Sequence, residues 1–160
     1  SSDLAEKYKS ILEEKGVQVK SCNLEDIPLD IIHKEMYGNP TTAFDSFQKK
    51  YLLPTSKFVF IIPEYNGSFP GILKLMIDAS DIPNAYYGKK AMLVGVASGR
   101  AGNLRGMDHL TGILNYLKIT VLPEKLPISK IDTLVNESGD LADAGTLKAI
   151  ENQCDQFVNF

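Results

Sequence analysis

The stretch from Ile61 to Asp78 reads IIPEYNGSFPGILKLMID and decides the fold. Ahead of it and overlapping its start, Phe58 to Ile62 is a continuous apolar, β-rich run, the pattern of a strand buried on both faces. Pro63 ends the ladder because it has no N–H to donate. Asn66-Gly67 permits a tight turn, since both residue types tolerate positive φ. Ser68 can cap the helix that follows, with Pro70 near its first turn. Ile72, Leu73, Leu75, Met76 and Ile77 are the apolar residues of that helix. A core strand thus leads through a polar turn into a helix.

The same alternation continues outward on both sides. Upstream, SSDLAEKYKSILEEKG has Ser1 or Ser2 as N-cap, Gly16 as stop, and Leu4, Tyr8, Ile11 and Leu12 at helical spacing. VQVKSC (17–22) alternates and reads as a strand. TTAFDSFQKKYLL has a threonine cap and places Phe44, Phe47 and Tyr51 on one helical face. Downstream, Ala91 to Ala97 is a second buried strand, NLRGMDHLTGILNYL is helical, KITVLP is a short strand, and residues 140–160 close the chain as a helix. Strands alternating with helices of this length mean βαβ units, hence an α/β fold with a parallel sheet and helices on both faces. The expected arrangement is a flavodoxin-like doubly wound sheet of order 2-1-3-4-5, whose central first strand lies upstream of residue 1. No repeat or linker interrupts the chain, so residues 1–160 read as one domain.

Composition narrows the partners. The chain has 160 residues, of which 44% are hydrophobic and 23% charged, as in ordinary globular proteins. A net charge of −3 argues against non-specific nucleic-acid or anionic-membrane binding. No apolar run approaches the roughly 20 residues needed to span a bilayer. Cys22 and Cys154 fit no metal or redox spacing and read as reduced thiols of a cytoplasmic protein. His33 and His109 form no ligand pair with them, and no metal site is expected.

Ligands of open parallel sheets sit beyond the carboxyl ends of the strands. Two loops leave strands at that edge: Pro63 to Gly71, and Ala97 to Gly106. In the first, backbone amides are free to face a ligand. In the second, Gly99 and Gly102 allow close backbone approach, Asn103 can adopt a left-handed conformation, and Arg100 and Arg105 add positive charge. Taken singly, Glu64 is a solvated turn residue, Tyr65 packs over the sheet edge, and Tyr86-Tyr87 cover a loop or an interface. His109 reads as a surface or hydrogen-bonded histidine rather than a catalytic base.

The order of residues from Pro63 says more. PEYNGSFPGILKLMID resembles the signature of the NADPH-dependent FMN reductase family, with its related quinone and azo-dye reductases. The likeness continues through YGKKAMLVGVASGRAGNLRGMDHL and NESGDLADAGTLKAIENQCDQF, and so covers essentially the whole chain. It implies that Pro63, Glu64, Tyr65, Asn66, Gly67 and Ser68 hold the flavin ring, largely through backbone groups. Ser98, Gly99, Arg100, Ala101 and Gly102 would approach the ring's pyrimidine side. The family's paired glycines correspond here to Gly102-Asn103. Its phosphate loop would lie upstream of residue 1, with Ser1 at its end, where a helix N-terminus suits a phosphate dianion.

The implied activity is that of an FMN-dependent oxidoreductase. NADPH or NADH would deliver hydride to FMN N5, and a flavin, quinone, azo compound or similar small molecule would take the electrons. The cofactor carries the chemistry, so no catalytic side chain is named. A homodimer or homotetramer with the flavin near the subunit interface is also implied. The alternatives are a flavodoxin-type electron carrier, for which −3 is weakly acidic, and a flavin-free binding or regulatory relative.

Overall fold

A computed structural model describes residues 2–160 of the chain. Lys57–Pro63 (β1) and Lys90–Val96 (β2) pair in parallel over their whole length, with Lys57 opposite Lys90 and Pro63 opposite Val96. On its other side β2 pairs in parallel with Thr120–Val121 (β3) and then with Leu126–Ile128 (β4). Six helices stand in chain order among the described residues: Ser2–Glu14 (α1), Thr42–Tyr51 (α2), Gly71–Ala79 (α3), Ile82–Tyr86 (α4), Leu104–Tyr116 (α5) and Ala144–Asn159 (α6). None is long and apolar enough to cross a membrane.

The pleat of β2 sorts the core into two layers. Ala91 and Leu93 pack with Phe44, Leu73, Met76 and Leu110 from α2, α3 and α5. Met92, Val94 and Val96 pack with Leu4, Tyr8, Ile150 and Phe157 from α1 and α6. Helices therefore cover both faces, which makes the sheet doubly wound. Each fully buried aliphatic side chain here contributes about 1.5–3 kcal/mol of transfer free energy. The helix starts follow their caps. Thr41 Oγ1 accepts the Phe44 N–H at 3.2 Å. Asp143 Oδ2 accepts the Thr146 N–H at 2.7 Å, so the closing helix begins at Ala144 rather than at 140.

The strand order agrees with the expected 2-1-3-4-5 in part. Positions 3, 4 and 5 are β1, β2 and the β3–β4 line, in that spatial sequence. Residues 17–23, expected to begin with a strand over VQVKSC, run without a ladder partner, and most are exposed. A strand needs a neighbour for its N–H and C=O groups, and among the described residues no strand stands beyond the free edge of β1. The expected first strand and Ser1 lie outside the described residues.

KITVLP is likewise not one strand. Lys118 turns left-handed with φ 59°, Pro123 offers no N–H, and pairing resumes only at Leu126. The Ala91 carbonyl receives the Leu122 N–H at 2.8 Å, but the Glu124 carbonyl falls in the gap between the two strands. Gln153 fills it from α6. Its Nε2 donates to the Leu93 and Glu124 carbonyls at 3.0 and 3.1 Å, and its Oε1 accepts from the Tyr8 hydroxyl at 2.8 Å. Burial, with Cys154 a lesser influence, pushes the Tyr8 pKa far up and keeps that hydroxyl a donor.

At the amino edge of the sheet, lysines close helix ends. Lys89 Nζ donates to the Leu52 carbonyl at 2.9 Å, just past α2, and Lys57 Nζ to the Phe157 carbonyl of α6 at 2.9 Å.

Removing Gln153 leaves the buried Tyr8 hydroxyl without its acceptor and takes one donor from each of the Leu93 and Glu124 carbonyls. Gln153→Ala is expected to lower the unfolding free energy by about 3 kcal/mol, and Tyr8→Phe by about 1 kcal/mol. Urea denaturation of the two variants measures both.

Candidate functional site

β1 ends at Pro63, level with Val96, and one residue later the Glu64 N–H still reaches the Val96 carbonyl at 2.8 Å. The chain then folds back on itself. Tyr65 N–H donates to the Ser68 carbonyl at 2.8 Å, and Ser68 N–H to the Tyr65 carbonyl at 3.0 Å. Asn66 and Gly67 at the tip have φ of 51° and 76°, the pair of left-handed residues that a two-residue type I′ turn requires. The reciprocal bonds occupy the amides of Tyr65 and Ser68. Those of Asn66 and Gly67 meet no acceptor among the described residues. Glu64, Tyr65 and Asn66 are exposed.

The second loop leaves β2 alongside. Ser98, Gly99 and Arg100 are exposed, and their N–H groups also lack an acceptor among the described residues. The loop is pinned from behind, where the Gly99 carbonyl accepts from Lys130 N–H at 3.0 Å. Gly102 behaves differently. It is buried with φ 55°, and a Cβ there would stand 2.7 Å from Pro127. Its carbonyl oxygen lies 2.1 Å from where a Gly95 Cβ would be. Gly95 and Gly102 are therefore contact surfaces that seat the loop on β2 and β4. The open part of this loop is Ser98 to Arg100.

Asn103 joins the two loops. It is left-handed at φ 59° and only 1% exposed. Its Oδ1 accepts the Gly106 N–H at 3.2 Å, which caps α5, while its Nδ2 donates to the Ile62 carbonyl at 3.1 Å, at the end of β1. A Cβ on Gly106 would meet that Oδ1 at 2.2 Å, so the cap requires glycine there.

So anchored, α5 presents two nitrogen-bearing side chains to the first loop. Arg105 Nη1 lies 2.9 Å from the Cβ position of Gly67. His109 Nδ1 lies 2.8 Å from Ser68 Oγ. The two are one helical turn apart on the same face. Ser68 was expected to cap α3. It does not: the helix starts at Gly71 with Pro70 at the N-cap position and no side-chain bond, and the serine hydroxyl, two residues earlier, bonds to α5 instead.

A groove of about 580 Å³ runs between α3 and α5, lined by Tyr37, Lys74, Asp78, His109, Ile113 and Tyr116 among others. His109 thus belongs to both the groove and the turn.

The structure brings Pro63, Glu64, Tyr65, Asn66, Gly67 and Ser68 beside Ser98, Gly99 and Arg100 at one sheet edge. It assigns Gly102 to packing, and Ser1 is outside the described residues. Sequence reading noted Arg105 only as nearby charge and discounted His109. Their spacing of four on a helix that starts at the loop was the available signal.

The comparisons agree with this architecture. A sequence model described as NADPH-dependent FMN reductase matches residues 1–133. An NAD(P)H-dependent FMN reductase of Pseudomonas aeruginosa is 30% identical over 144 residues, which cover 86% of this chain and 75% of that protein. A 2-hydroxy-1,4-benzoquinone reductase of a Burkholderia species is 25% identical over 114 residues; the match takes in 69% of this chain and 62% of the relative. The fold is shared with a flavoenzyme NAD(P)H:(acceptor) oxidoreductase from Paracoccus denitrificans, at a TM-score of 0.76 and 21% identity, over 99% of this chain and 90% of that one.

Asn103→Ala removes the cap, takes one of its donors from the Ile62 carbonyl and strains a left-handed backbone. It is expected to cost about 3 kcal/mol of stability, whereas Asn103→Gly, which tolerates that backbone, costs about 1–2 kcal/mol. Denaturant titration of the pair separates backbone strain from lost hydrogen bonds.

Proposed function

The chain belongs to the NADPH-dependent FMN reductase family, and from that premise we propose that it is an FMN-dependent NAD(P)H oxidoreductase. Residues 1–160 act in this reading as one FMN-binding domain. A single observation carries it: two adjacent loops at the carboxyl edge each present backbone N–H groups without an acceptor among the described residues.

That donor set fits a flavin. The edges of the isoalloxazine ring carry carbonyl oxygens and N5, all acceptors that gain electron density on reduction. Asn66 and Gly67 supply amides on one side, and Ser98, Gly99 and Arg100 on the other. Gly67 has no side chain to block approach, and the turn that bears it is braced by Pro63 and Glu64 at the strand end. Tyr65, exposed beside the tip, offers an aromatic surface. Gly102 serves indirectly by seating the second loop. Ser1 is proposed at the phosphate.

Bound FMN supplies hydride acceptance at N5 from NADPH or NADH and its onward transfer to a flavin, quinone, azo compound or similar small molecule. The names of the Pseudomonas and Burkholderia relatives favour flavin and quinone acceptors. The chain's own part is to bind and orient; no side chain acts as acid or base. Arg105, beside Gly67, places positive charge where the reduced ring carries excess electron density. The free thiols Cys22 and Cys154 favour a cytoplasmic setting.

We also propose self-association, as a homodimer or homotetramer, through the groove between α3 and α5. Its apolar lining includes Ile113, and it is flanked by Tyr37 and Tyr116, which are 71% and 86% exposed. Large exposed aromatic surface of this kind is enriched at interfaces.

Anaerobic addition of NADPH to the FMN-loaded protein is expected to bleach the flavin absorbance band, and added quinone to restore it. Bound flavin left oxidised by both NADPH and NADH would exclude the reductase reading. Independently, Tyr116→Glu is expected to shift the wild-type oligomer to monomer in sedimentation velocity, while a wild-type monomer at micromolar concentration would rule out the interface.

A further inference from the structure

We infer that His109 is a positioning residue for the Asn66-Gly67 turn, acting through Ser68; this rests on the reading of that turn as a flavin site. The turn has few ties to the rest of the molecule. Beyond the Glu64 N–H bond to Val96, the backbone bonds of Tyr65 and Ser68 are made only to each other. Among the described residues, the Ser68 Oγ···His109 Nδ1 contact at 2.8 Å is the one hydrogen bond that links residues 65–69 to another element.

What it links to is rigid. His109 sits in α5, whose start is clamped to the end of β1 through Asn103. The hinge side and the closing side of the turn are therefore referred to the same helix, at Ile62 by Asn103 and at Ser68 by His109. Between them Arg105 lies over Gly67, 2.9 Å from its Cβ position, which limits how far the tip can swing toward α5.

The contact holds in either state of the ring. A neutral imidazole accepts the serine proton at Nδ1, and an imidazolium donates there to the serine oxygen, because a hydroxyl does both. The hydroxyl does not serve the α3 N-cap, which falls two residues on at Pro70. A serine tied to the helix across the loop sets the orientation of the loop. Since the Asn66 and Gly67 amides lie between the two fixed ends, their aim depends on the closing end being held.

The test is a double-mutant cycle on FMN affinity, read by quenching of flavin fluorescence, with visible circular dichroism of the bound flavin and the melting temperature of the flavin-free protein alongside. The set comprises wild type, Ser68→Ala, His109→Leu, the double variant, and His109→Asn, whose amide stands near the Nδ1 position. Each single loss is expected to weaken FMN binding about fivefold, and the double variant no further. His109→Asn should recover most of the affinity and the wild-type dichroism. Independent, multiplying losses in the double variant, or a His109→Asn protein as weak as His109→Leu, would overturn the inference and leave the FMN reading intact. A wild-type protein that bound no FMN would overturn both.

Discussion

The carboxyl edge of this molecule hangs on one buried amide. Asn103 caps α5 with its oxygen and donates to the Ile62 carbonyl near the end of β1 with its nitrogen. Its left-handed backbone lets the chain turn from loop to helix within one residue. Three glycines exist around it for steric reasons. Gly106 makes room for the Asn103 side chain, while Gly95 and Gly102 let the incoming loop touch the sheet. Together they set the angle at which α5 crosses the strand ends. Everything α5 carries, Arg105 over Gly67 and His109 against Ser68, inherits that angle.

The two ends of the sheet solve different problems. At the amino end, lysine ammonium groups from Lys57 and Lys89 satisfy carbonyls at or just past the ends of α6 and α2. At the carboxyl end, helix α3 begins without a side-chain cap and the loops keep amides that have no acceptor among the described residues. Unpaired amides at an exposed edge cost little, because water satisfies them until a ligand does. Between these ends β2, buried from Ala91 to Ala97 and gripped by strands on both sides, keeps the edge from shifting.

Local patterns were legible wherever chemistry and structure share neighbours in sequence. The apolar run at Phe58 to Ile62, the proline that ends it and the Asn66-Gly67 turn each specify their own conformation. So do the caps Thr41 and Asp143, although the second was located only when its bond to Thr146 was seen. Misreadings arose where the partner is remote. VQVKSC has the alternation of a strand, but alternation states only which side is apolar and cannot supply a neighbouring strand. KITVLP has strand propensity, yet Pro123 opens a gap that Gln153, thirty residues later, fills. Ser68 obeyed a tertiary bond instead of the helix next to it.

By itself, the sequence determined the α/β class, the alternation of elements and the two loops that face one another, because hydrophobic period and turn chemistry act over a few residues. It also carried the motif from which the family can be read. Only the tertiary structure decided which residues of those loops are open and which are packed. Gly99 and Gly102 look alike in sequence, but one faces solvent and the other lies against Pro127. His109 looks like any helical histidine until α5 is laid across the turn. A side chain's role depends on what stands opposite it, and that is settled by packing between elements distant along the chain.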